Sequence, residues 1–243
     1  MTTVLKLGGS LITEKDRRET LDDDALSAAA DAIAEAETDL ALVHGAGSFG
    51  HHYAEKHGVS VGQGTADAGA ALEIHGSMTT LNRFVLSRLH DRDVPALPVH
   101  PLSAGARDDG ATLRLPLPST RTMLGEGFVP VSHGDVIAHE GQGATIISGD
   151  EVVARFATGL SADRVGLCST VDGVYDADGE VIDRITSFEE VADALGESDA
   201  TDVTGGMAGK VRTLLDLDVP ASVFGADDLA AFLDGGEPGT RIG

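Results

Sequence analysis

The stretch Val4-Leu5-Lys6-Leu7-Gly8-Gly9-Ser10 opens the chain with an apolar run that ends in two glycines. A short apolar run before paired glycines is typical of a buried β-strand followed by a tight turn. Glycine beside a lysine lets backbone N–H groups approach anionic oxygens closely. The stretch therefore predicts a strand whose carboxyl end presents a lysine and a glycine turn to a phosphate group.

Lysine is scarce in the rest of the chain. Of its four lysines, three lie close to glycines, namely Lys6, Lys15 and Lys210, and the other thirteen basic residues are arginines. A chain so depleted in lysine keeps it where a compact charge on a flexible stem is needed, and phosphate binding is a common reason. We therefore predict a protein that binds polyphosphate.

Composition narrows the class of protein. A chain of 243 residues, of which 42% are hydrophobic, can bury a sizeable core and is unlike a disordered acidic protein. The net charge of −23 repels nucleic acids and anionic membranes, so neither is expected as a partner. An acidic chain rich in alanine and glycine, with arginine in place of lysine, resembles proteins of salt-loving organisms.

Cysteine usage and hydropathy give the expected compartment. The one cysteine, Cys168, lies in an apolar run and is interpreted as a small core residue. It allows no internal disulfide, which suits a reducing compartment. The N-terminus has no apolar run long enough for a signal peptide, and no stretch approaches ~18 consecutive apolar residues. We expect a soluble, cytoplasmic protein.

Apolar runs and amphipathic stretches alternate along the chain, which predicts a mostly parallel sheet covered by helices on both faces. Strands are predicted at Val4–Leu7, Leu40–Val43, Pro95–Val99, Phe128–Val131, Ala144–Ile147, Arg164–Ser169, Glu180–Ile185 and Ala221–Phe224. Helices are predicted at Asp22–Glu37, Ala66–His90, Glu151–Leu160, Phe188–Leu195, Met207–Leu217 and Asp227–Leu233. Ligands bind such sheets at the carboxyl ends of strands, where the glycine-rich motifs of this chain lie.

Two glycine motifs imitate known nucleotide-binding patterns. Gly45-Ala46-Gly47-Ser48-Phe49-Gly50 matches the dinucleotide fingerprint, but the amphipathic helix and second acidic strand that should follow it are not predicted. Gly206-Met207-Ala208-Gly209-Lys210-Val211 fails as a Walker A loop because Val211 replaces serine or threonine. What remains is a glycine turn that opens a helix with a lysine one turn inside, an arrangement suited to phosphate.

Three histidines, His51, His52 and His57, follow the second glycine motif. Their spacing matches no common zinc-ligand pattern, so we expect them to hold no metal ion. A histidine beside a phosphate-binding turn can instead donate a hydrogen bond to an anion. His75 and His133 are interpreted as structural.

Five motifs occur in the order found in the amino acid kinase superfamily, and the resemblance spans nearly the whole chain. They are Lys6-Leu7-Gly8-Gly9-Ser10, His44-Gly45-Ala46-Gly47-Ser48-Phe49-Gly50-His51, Ile147-Ser148-Gly149-Asp150, Asp172-Gly173-Val174-Tyr175-Asp176 and Asp202-Val203-Thr204-Gly205-Gly206-Met207. The second motif ends in a histidine, which resembles the isopentenyl phosphate kinase branch. Some relatives have glycine where this chain has Ala46.

The resemblance implies an open three-layer α/β/α sandwich with a mostly parallel central sheet, forming one domain and usually a homodimer. It implies that residues 1–140 bind the acceptor and residues 141–243 bind the nucleotide. The implied reaction transfers a phosphoryl group from ATP, carried with Mg²⁺, to isopentenyl phosphate. The product, isopentenyl diphosphate, would place the reaction in isoprenoid biosynthesis, on the alternative mevalonate route. The resemblance implies no nucleic-acid or membrane partner.

Site residues are also implied position by position. The ATP phosphates would be contacted by Lys6, Gly8, Gly9, Ser10 and Ala46. Lys15 would stabilise the transferring group, and Asp150 would orient the lysines. The nucleotide would be bound by Asp172, Tyr175, Gly206 and Lys210. Gly45, Gly50 and Gly149 would line the acceptor phosphate, and His51 would bond to it. For the apolar tail, Ile74, Met78 and Leu81 on the long helix are candidates, although they suit an ordinary core equally well.

Two alternatives stay open. The first is a related kinase that acts on a carboxylate, a carbamate or a nucleoside monophosphate. A carboxylate acceptor would call for an arginine near the acceptor turn, and none lies between Arg18 and Arg83 in the sequence, although folding could deliver one. The second is a non-catalytic nucleotide-binding protein, against which the presence of Lys6, Lys15 and Asp150 argues.

The charge balance predicts that stability depends on salt. Forty acidic side chains against seventeen basic ones repel one another, and the Debye length falls from ~30 Å at 0.01 M salt to ~3 Å at 1 M. We expect the protein to lose structure on dialysis into dilute buffer and to regain it in molar KCl, as followed by circular dichroism. A melting temperature that stays constant from ~0.1 to ~3 M KCl would contradict this expectation.

Overall fold

The computed structural model describes residues 1–195 and 206–243, and the predicted alternation of strands and helices is confirmed there. The strands are β1 (Thr2–Leu7), β2 (Asp39–His44), β3 (Ala96–Pro98), β4 (Ala106–Arg107), β5 (Leu113–Arg114), β6 (Val129–His133), β7 (Asp135–His139), β8 (Gly143–Ile147), β9 (Arg164–Ser169), β10 (Arg184–Ile185), β11 (Ala221–Gly225) and β12 (Thr240–Ile242). The helices are α1 (Gly9–Ile12), α2 (Asp23–Ala34), α3 (Gly47–His57), α4 (Ala68–His90), α5 (Pro118–Gly125), α6 (Gly149–Leu160), α7 (Ala192–Leu195), α8 (Gly206–Leu215) and α9 (Leu229–Leu233).

The main sheet has eight strands in the order β10-β12-β11-β9-β1-β2-β6-β3. Neighbouring strands are parallel except β11 and β12, which are antiparallel. The predicted fold class, an α/β/α sandwich around a mostly parallel sheet, is confirmed. No helix among the described residues is both long enough and apolar enough to cross a membrane.

Strand β1 lies in the middle of the sheet and is buried on both faces. Leu5 and Leu7 join a core formed with α2, α4 and α9, whereas Val4 joins a core formed with α6 and α8. Successive side chains of a strand point to opposite faces, so Lys6 shares the face of Val4 and is directed toward α6. The strand period thus places the first lysine against the helix that carries Asp150.

A second, four-stranded sheet in the order β5-β4-β7-β8 was not predicted. No strand or helix was predicted between residues 101 and 127, yet this stretch holds β4, β5 and α5. A single residue, Gly134, separates the end of β6 from the start of β7. The polar residues of His133-Gly134-Asp135 gave no apolar run at this point, which is why the sequence pattern missed the change of sheet.

A helix that the sequence pattern did not predict follows the second glycine motif, because α3 begins at Gly47 and continues to His57. Phe49, Tyr53 and Ala54 lie on its buried side, and Gly58 ends it in the left-handed conformation. Apolar residues spaced by four, followed by a glycine, are a helix signal that the glycine-rich start obscured.

Other boundaries differ by smaller amounts. Within the predicted strand Glu180–Ile185, only Arg184–Ile185 (β10) is regular strand. Earlier in this stretch, Val181 pairs with Tyr175 in an isolated bridge. The predicted helix Phe188–Leu195 divides into a 3-10 turn at Phe188–Glu190 and the short α7. These segments are short, so one or two hydrogen bonds decide their class.

Two glycine turns meet backbone to backbone at the carboxyl end of the sheet. A Cβ placed on Gly9 would lie 2.2 Å from the backbone N of Gly47, and one on Gly45 would lie 2.5 Å from the N of Gly9. No real Cβ tolerates such distances, so the turns after β1 and β2 can approach only because both carry glycine. In contrast, a Cβ on Gly76 in the middle of α4 would meet nothing within 4 Å.

We expect Gly9→Ala and Gly76→Ala to change stability in opposite directions. Gly9→Ala should lower the free energy of unfolding by about 1–3 kcal/mol because the turns must separate. Gly76→Ala should raise it by about 0.5–1 kcal/mol because alanine restricts the unfolded chain and favours helix. Urea unfolding at fixed high KCl measures both, and a neutral Gly9→Ala would contradict the packing described here.

Candidate active site

A cavity of about 250 Å³ opens at the carboxyl ends of β1, β2 and β8. Most of the residues predicted to form the site line this one cavity, as expected for the crevice of a parallel sheet. They are Lys6, Gly8, Gly9, Ser10, Gly45, Ala46, Gly50, His51, Gly149, Asp150 and Lys210.

The end of β1 and the start of α6 are joined by a buried ion pair. Lys6 Nζ donates to Asp150 Oδ1 at 2.6 Å, and both side chains are less than one-tenth exposed. Methylenes of Lys6 also lie against Gly149, where a Cβ would be 3.2 Å from Lys6 Cε. The lysine is therefore held in one place beside the cavity, with a carboxylate that balances its charge when no anion is bound.

The first turn of α6 forms a ready anion site. Ser148 Oγ accepts from the backbone N of Glu151, and the Glu151 carboxylate accepts from the backbone N of Ser148, which completes a capping box. The box satisfies the first and last of the four amides that a helix leaves without intrahelical partners. The amides between them belong to Gly149 and Asp150, both of which line the cavity, at the positive end of the helix.

His51 lies in the second turn of α3, so it is carried by a helix and not by a loop. It lines the cavity one residue after Gly50. A Cβ on Gly50 would lie 2.5 Å from Met78 Sδ, so glycine at this position lets α3 pack closely on α4. The two helices hold His51 at a fixed place in the wall.

Four predicted residues lie outside the lining of this cavity. Lys15 is exposed in the turn between Thr13 and Leu21, which form an isolated bridge. The other three were predicted to bind the nucleotide. Asp172 and Tyr175 are exposed after β9, and Gly206 begins α8. The structure brings Asp172 and Tyr175 together, with 3.5 Å between the hydroxyl and the carboxylate.

The nucleotide-side lysine lines the cavity from α8. Lys210 Nζ donates to the backbone O of Gly206 at 3.2 Å, one turn earlier in the helix. Residues 202–205 of the last predicted motif, including Thr204 and Gly205, lie outside the described residues. The acidic run at 197–199, which the sequence indicates to be solvated surface, also lies outside them.

An apolar wall adjoins the polar face of the cavity. Ile74 and Met78 on α4 contribute to it as predicted, together with Ala54 and Ile146, which were not predicted. Leu81 is buried in the core and does not line the cavity. The cavity therefore combines anion-binding groups with a small hydrophobic surface.

Gly134 and Asp135 also line the cavity and were missed by the sequence analysis. The Asp135 carboxylate is fully buried and pairs with His75 Nδ1 at 2.9 Å. Hydrogen bonding to this carboxylate raises the pKa of His75. The repeated pattern of a strand followed by Gly-Asp, seen also at Gly149-Asp150, is the signal that could have identified them.

The charges of the cavity suit a phosphate better than a carboxylate. Among the described lining residues the cationic side chains are Lys6 and Lys210, and no arginine is present. The arginine expected for a carboxylate acceptor is therefore absent from the described part of the wall. The two lining carboxylates, Asp135 and Asp150, are both engaged by basic side chains.

No group of three or more histidine, cysteine, aspartate or glutamate side chains is placed to hold a metal ion within residues 1–195 and 206–243. Cys168, expected to be a core residue, is buried at the end of β9, and burial raises the pKa of its thiol to about 12. The thiol is therefore unreactive at neutral pH.

Comparison with known proteins agrees with the family resemblance of the sequence motifs. The model of the amino acid kinase family matches residues 1–217. An isopentenyl phosphate kinase of Haloferax volcanii is 61% identical over 241 residues, which cover 98% of this chain and 97% of the relative. One from Methanothermobacter thermautotrophicus is 36% identical over 228 residues, covering 87% and 85% of the two chains.

Solved structures show the same fold. A structure described as an X-ray structure of isopentenyl phosphate kinase covers both chains completely, with a TM-score of 0.86 and 30% identity. The product complex of the T. acidophilum isopentenyl phosphate kinase covers both chains with a TM-score of 0.81 and 24% identity. The second likeness is evidence for the fold alone.

Proposed function

The chain belongs to the amino acid kinase family, and we propose that it transfers the γ-phosphoryl group of ATP to isopentenyl phosphate, giving isopentenyl diphosphate and ADP. The observation that carries the proposal is the cavity itself, in which an anion-binding face adjoins a small apolar wall. A phosphate monoester with a short branched hydrocarbon tail has both features. The full-length similarity to isopentenyl phosphate kinases supports the same acceptor.

The proposed chemistry needs little proton transfer. The second pKa of a phosphate monoester is ~6, so the acceptor is mostly a dianion at neutral pH and its oxygen is already a nucleophile. That oxygen forms a bond to the γ-phosphorus while the bond from the γ-phosphorus to the ADP oxygen breaks. The main barrier is the repulsion between two anions brought into line, so the site acts by positioning and charge neutralisation.

The residues of the cavity divide this task. In the proposal, Lys6 neutralises the phosphates of ATP, and Asp150 holds that lysine in place at 2.6 Å. The amides at the start of α6 bind the phosphate group of the acceptor. His51 donates a hydrogen bond to the acceptor from α3, and Lys210 reaches the nucleotide from α8.

The remaining assignments carry over from the family. In the proposal, the ATP phosphates are contacted by Gly8, Gly9, Ser10 and Ala46. The acceptor is contacted by Gly45, Gly50 and Gly149, and the nucleotide is bound by Asp172, Tyr175 and Gly206. Lys15 lies outside the cavity lining, so its proposed role on the transferring group requires the turn that carries it to close toward the cavity. Residues 1–140 are proposed as the acceptor half and 141–243 as the nucleotide half.

Mg²⁺ is proposed to enter with ATP. Among the described lining residues, both carboxylates are already paired, Asp150 with Lys6 and Asp135 with His75, so oxygen atoms of the ATP phosphates would hold the ion. Its contribution is charge neutralisation on the phosphates.

We further propose a homodimer, supported by the exposed apolar side chains of Leu72 and Phe84 on α4. We also propose a cytoplasmic location, supported by the buried, reduced Cys168.

The choice of acceptor tests the function. We expect isopentenyl phosphate to give the highest kcat/KM in an ADP-release assay with Mg-ATP in molar KCl. Free isopentenol, acetylglutamate, carbamate and UMP should be far poorer, since each lacks either the phosphate or the tail that fits the apolar wall. Preferred turnover of acetylglutamate or UMP would show that the acceptor is wrong.

The role of His51 is tested by substitution. His51→Ala should lower kcat by ~10²–10³, the usual effect of losing one preorganised donor. ATP binding should change little, because other residues hold the nucleotide. His51→Gln and His51→Asn keep a neutral donor and should retain more activity than His51→Ala, whereas a general base would be lost equally in all three variants.

The neighbouring His52 is the matched control. It is exposed and packs edge-on against Tyr53, outside the cavity lining. His52→Ala should therefore be mild. Equal losses at both positions would indicate damage to α3, and wild-type turnover in His51→Ala would leave His51 without a catalytic role.

A further inference from the structure

Four histidines that have no part in the proposed reaction form a column behind the cavity wall. His44 ends β2 and His133 ends β6, where they are paired in register and their rings stack at 5.3 Å between centroids. His133 Nε2 lies 3.0 Å from His100 Nδ1, and the ring of His100 lies 5.8 Å from that of His75. Each of the two stacked residues directly precedes a glycine that lines the cavity, Gly45 or Gly134.

The stacked histidines are uncharged at neutral pH. Complete burial lowers the pKa of His44 to about 4, and burial together with neighbouring imidazoles holds that of His133 well below its usual range. A neutral imidazole carries one N–H and one acceptor nitrogen. The position of that single proton therefore decides which hydrogen bonds each ring can make.

The neighbours of Nδ1 place the proton there. His44 Nδ1 lies 3.0 Å from the carbonyl O of Gly45, and His133 Nδ1 lies 2.8 Å from that of Gly134. A carbonyl oxygen only accepts, so both rings donate Nδ1–H to the glycine that follows them. Nε2 of each ring must then be an acceptor, and for His133 the donor is Nδ1–H of His100.

His44 Nε2 faces the side-chain amide of Asn82 on α4, with Oδ1 at 3.2 Å. Two acceptors would then face each other, while Asn82 Nδ2 is buried with no hydrogen-bond partner. Turning the amide end for end removes both faults, because Nδ2 then donates to Nε2. The neutral state of His44 and the unpartnered Nδ2 thus lead independently to the same orientation.

We infer that His44 and His133 are positioning residues, held in the Nδ1–H tautomer by Asn82 and His100 so that each fixes the glycine carbonyl after it. In a trans peptide the C=O and N–H of one plane point in opposite directions. Fixing the carbonyl of Gly45 therefore fixes the amide of Ala46, a cavity residue, on the other side of the same plane.

Fixing the carbonyl of Gly134 has a second effect. The Cα of Gly134 packs on the start of α6, where a Cβ would lie 3.2 Å from the backbone N of Gly149. The column therefore supports both the turn after β2 and the amides of α6. What those amides bind follows from the proposed function, on which this part of the inference rests, whereas the tautomers do not depend on it.

The tautomers can be observed directly. Histidine-selective ¹⁵N NMR of the wild-type protein at neutral pH in molar KCl should show His44 and His133 as neutral Nδ1–H tautomers, assigned by the loss of one signal in His44→Asn and in His133→Asn. An Nε2–H tautomer or a protonated ring at either position would overturn the inference. This measurement requires no substrate, so it stands whether or not the proposed reaction is correct.

Asn82→Asp tests the consequence for turnover. The carboxylate only accepts, so it attracts the proton of neutral His44 to Nε2 and removes Nδ1–H from Gly45. Other ionisable groups near His44 are His133 on β6, His100, and the Lys6–Asp150 pair beyond Gly149, and all of these stay the same in the variant.

At low pH His44 of Asn82→Asp carries both protons and keeps its bond to Gly45, because a carboxylate partner raises a histidine pKa. We expect the ratio of its kcat to that of the wild type to fall by about tenfold or more as the pH rises from 6 to 9, a smaller loss than that of a direct donor. Taking the ratio cancels the titration of the acceptor phosphate.

Asn82→Leu is the matched control. Leucine removes the donor to Nε2 but provides no acceptor that competes for the proton, so its kcat ratio should stay constant over the same pH range. A constant ratio for Asn82→Asp would overturn the inference, because it would mean that Asn82 already accepts from His44. Activity on a different acceptor with the same pH-dependent ratio would overturn the proposed acceptor and leave the positioning role intact.

Discussion

The contact between the glycine turns after β1 and β2 is the constraint on which the site depends. Gly9 and Gly45 lie so close that a single Cβ on either would enter the backbone of the opposite turn. Because the strands are parallel neighbours in register, their carboxyl ends meet at one height, and glycine lets the backbones close the remaining gap. Backbone amides of both turns and of α6 can therefore surround one anion without any long side chain between them.

The buried pair of Lys6 and Asp150 depends on that arrangement. A buried ion pair adds little net stability, since desolvation offsets most of the attraction, but removing one partner leaves a costly unpaired charge. Here the pair keeps a cation beside the glycine turns in a protein whose net charge is −23. The balancing carboxylate comes from the first turn of α6, so the lysine and the helix amides are held in register with each other.

The sequence predicted the parts of the fold that follow from repetition. Apolar runs before glycines located β1, β2, β8 and β9, and their order led to the family. The sequence could not show that the chain passes from the main sheet to the second sheet between β6 and β7, because His133-Gly134-Asp135 has no apolar period. The buried pairing of His75 with Asp135 and the stacking of His44 on His133 join residues 60 and 89 positions apart, so no local pattern reports them.

The strand order also has a consequence for the time course of folding. Strand β1 is synthesised first and lies beside β2, but its other neighbour, β9, pairs Arg164 with Thr3. Strand β10 pairs only with β12 among the described strands, and β12 is inserted between β10 and β11. The ribosome must therefore synthesise nearly all of residues 1–242 before every strand of the sheet can pair. The acidic nascent chain consequently exposes unpaired strand edges for most of its synthesis.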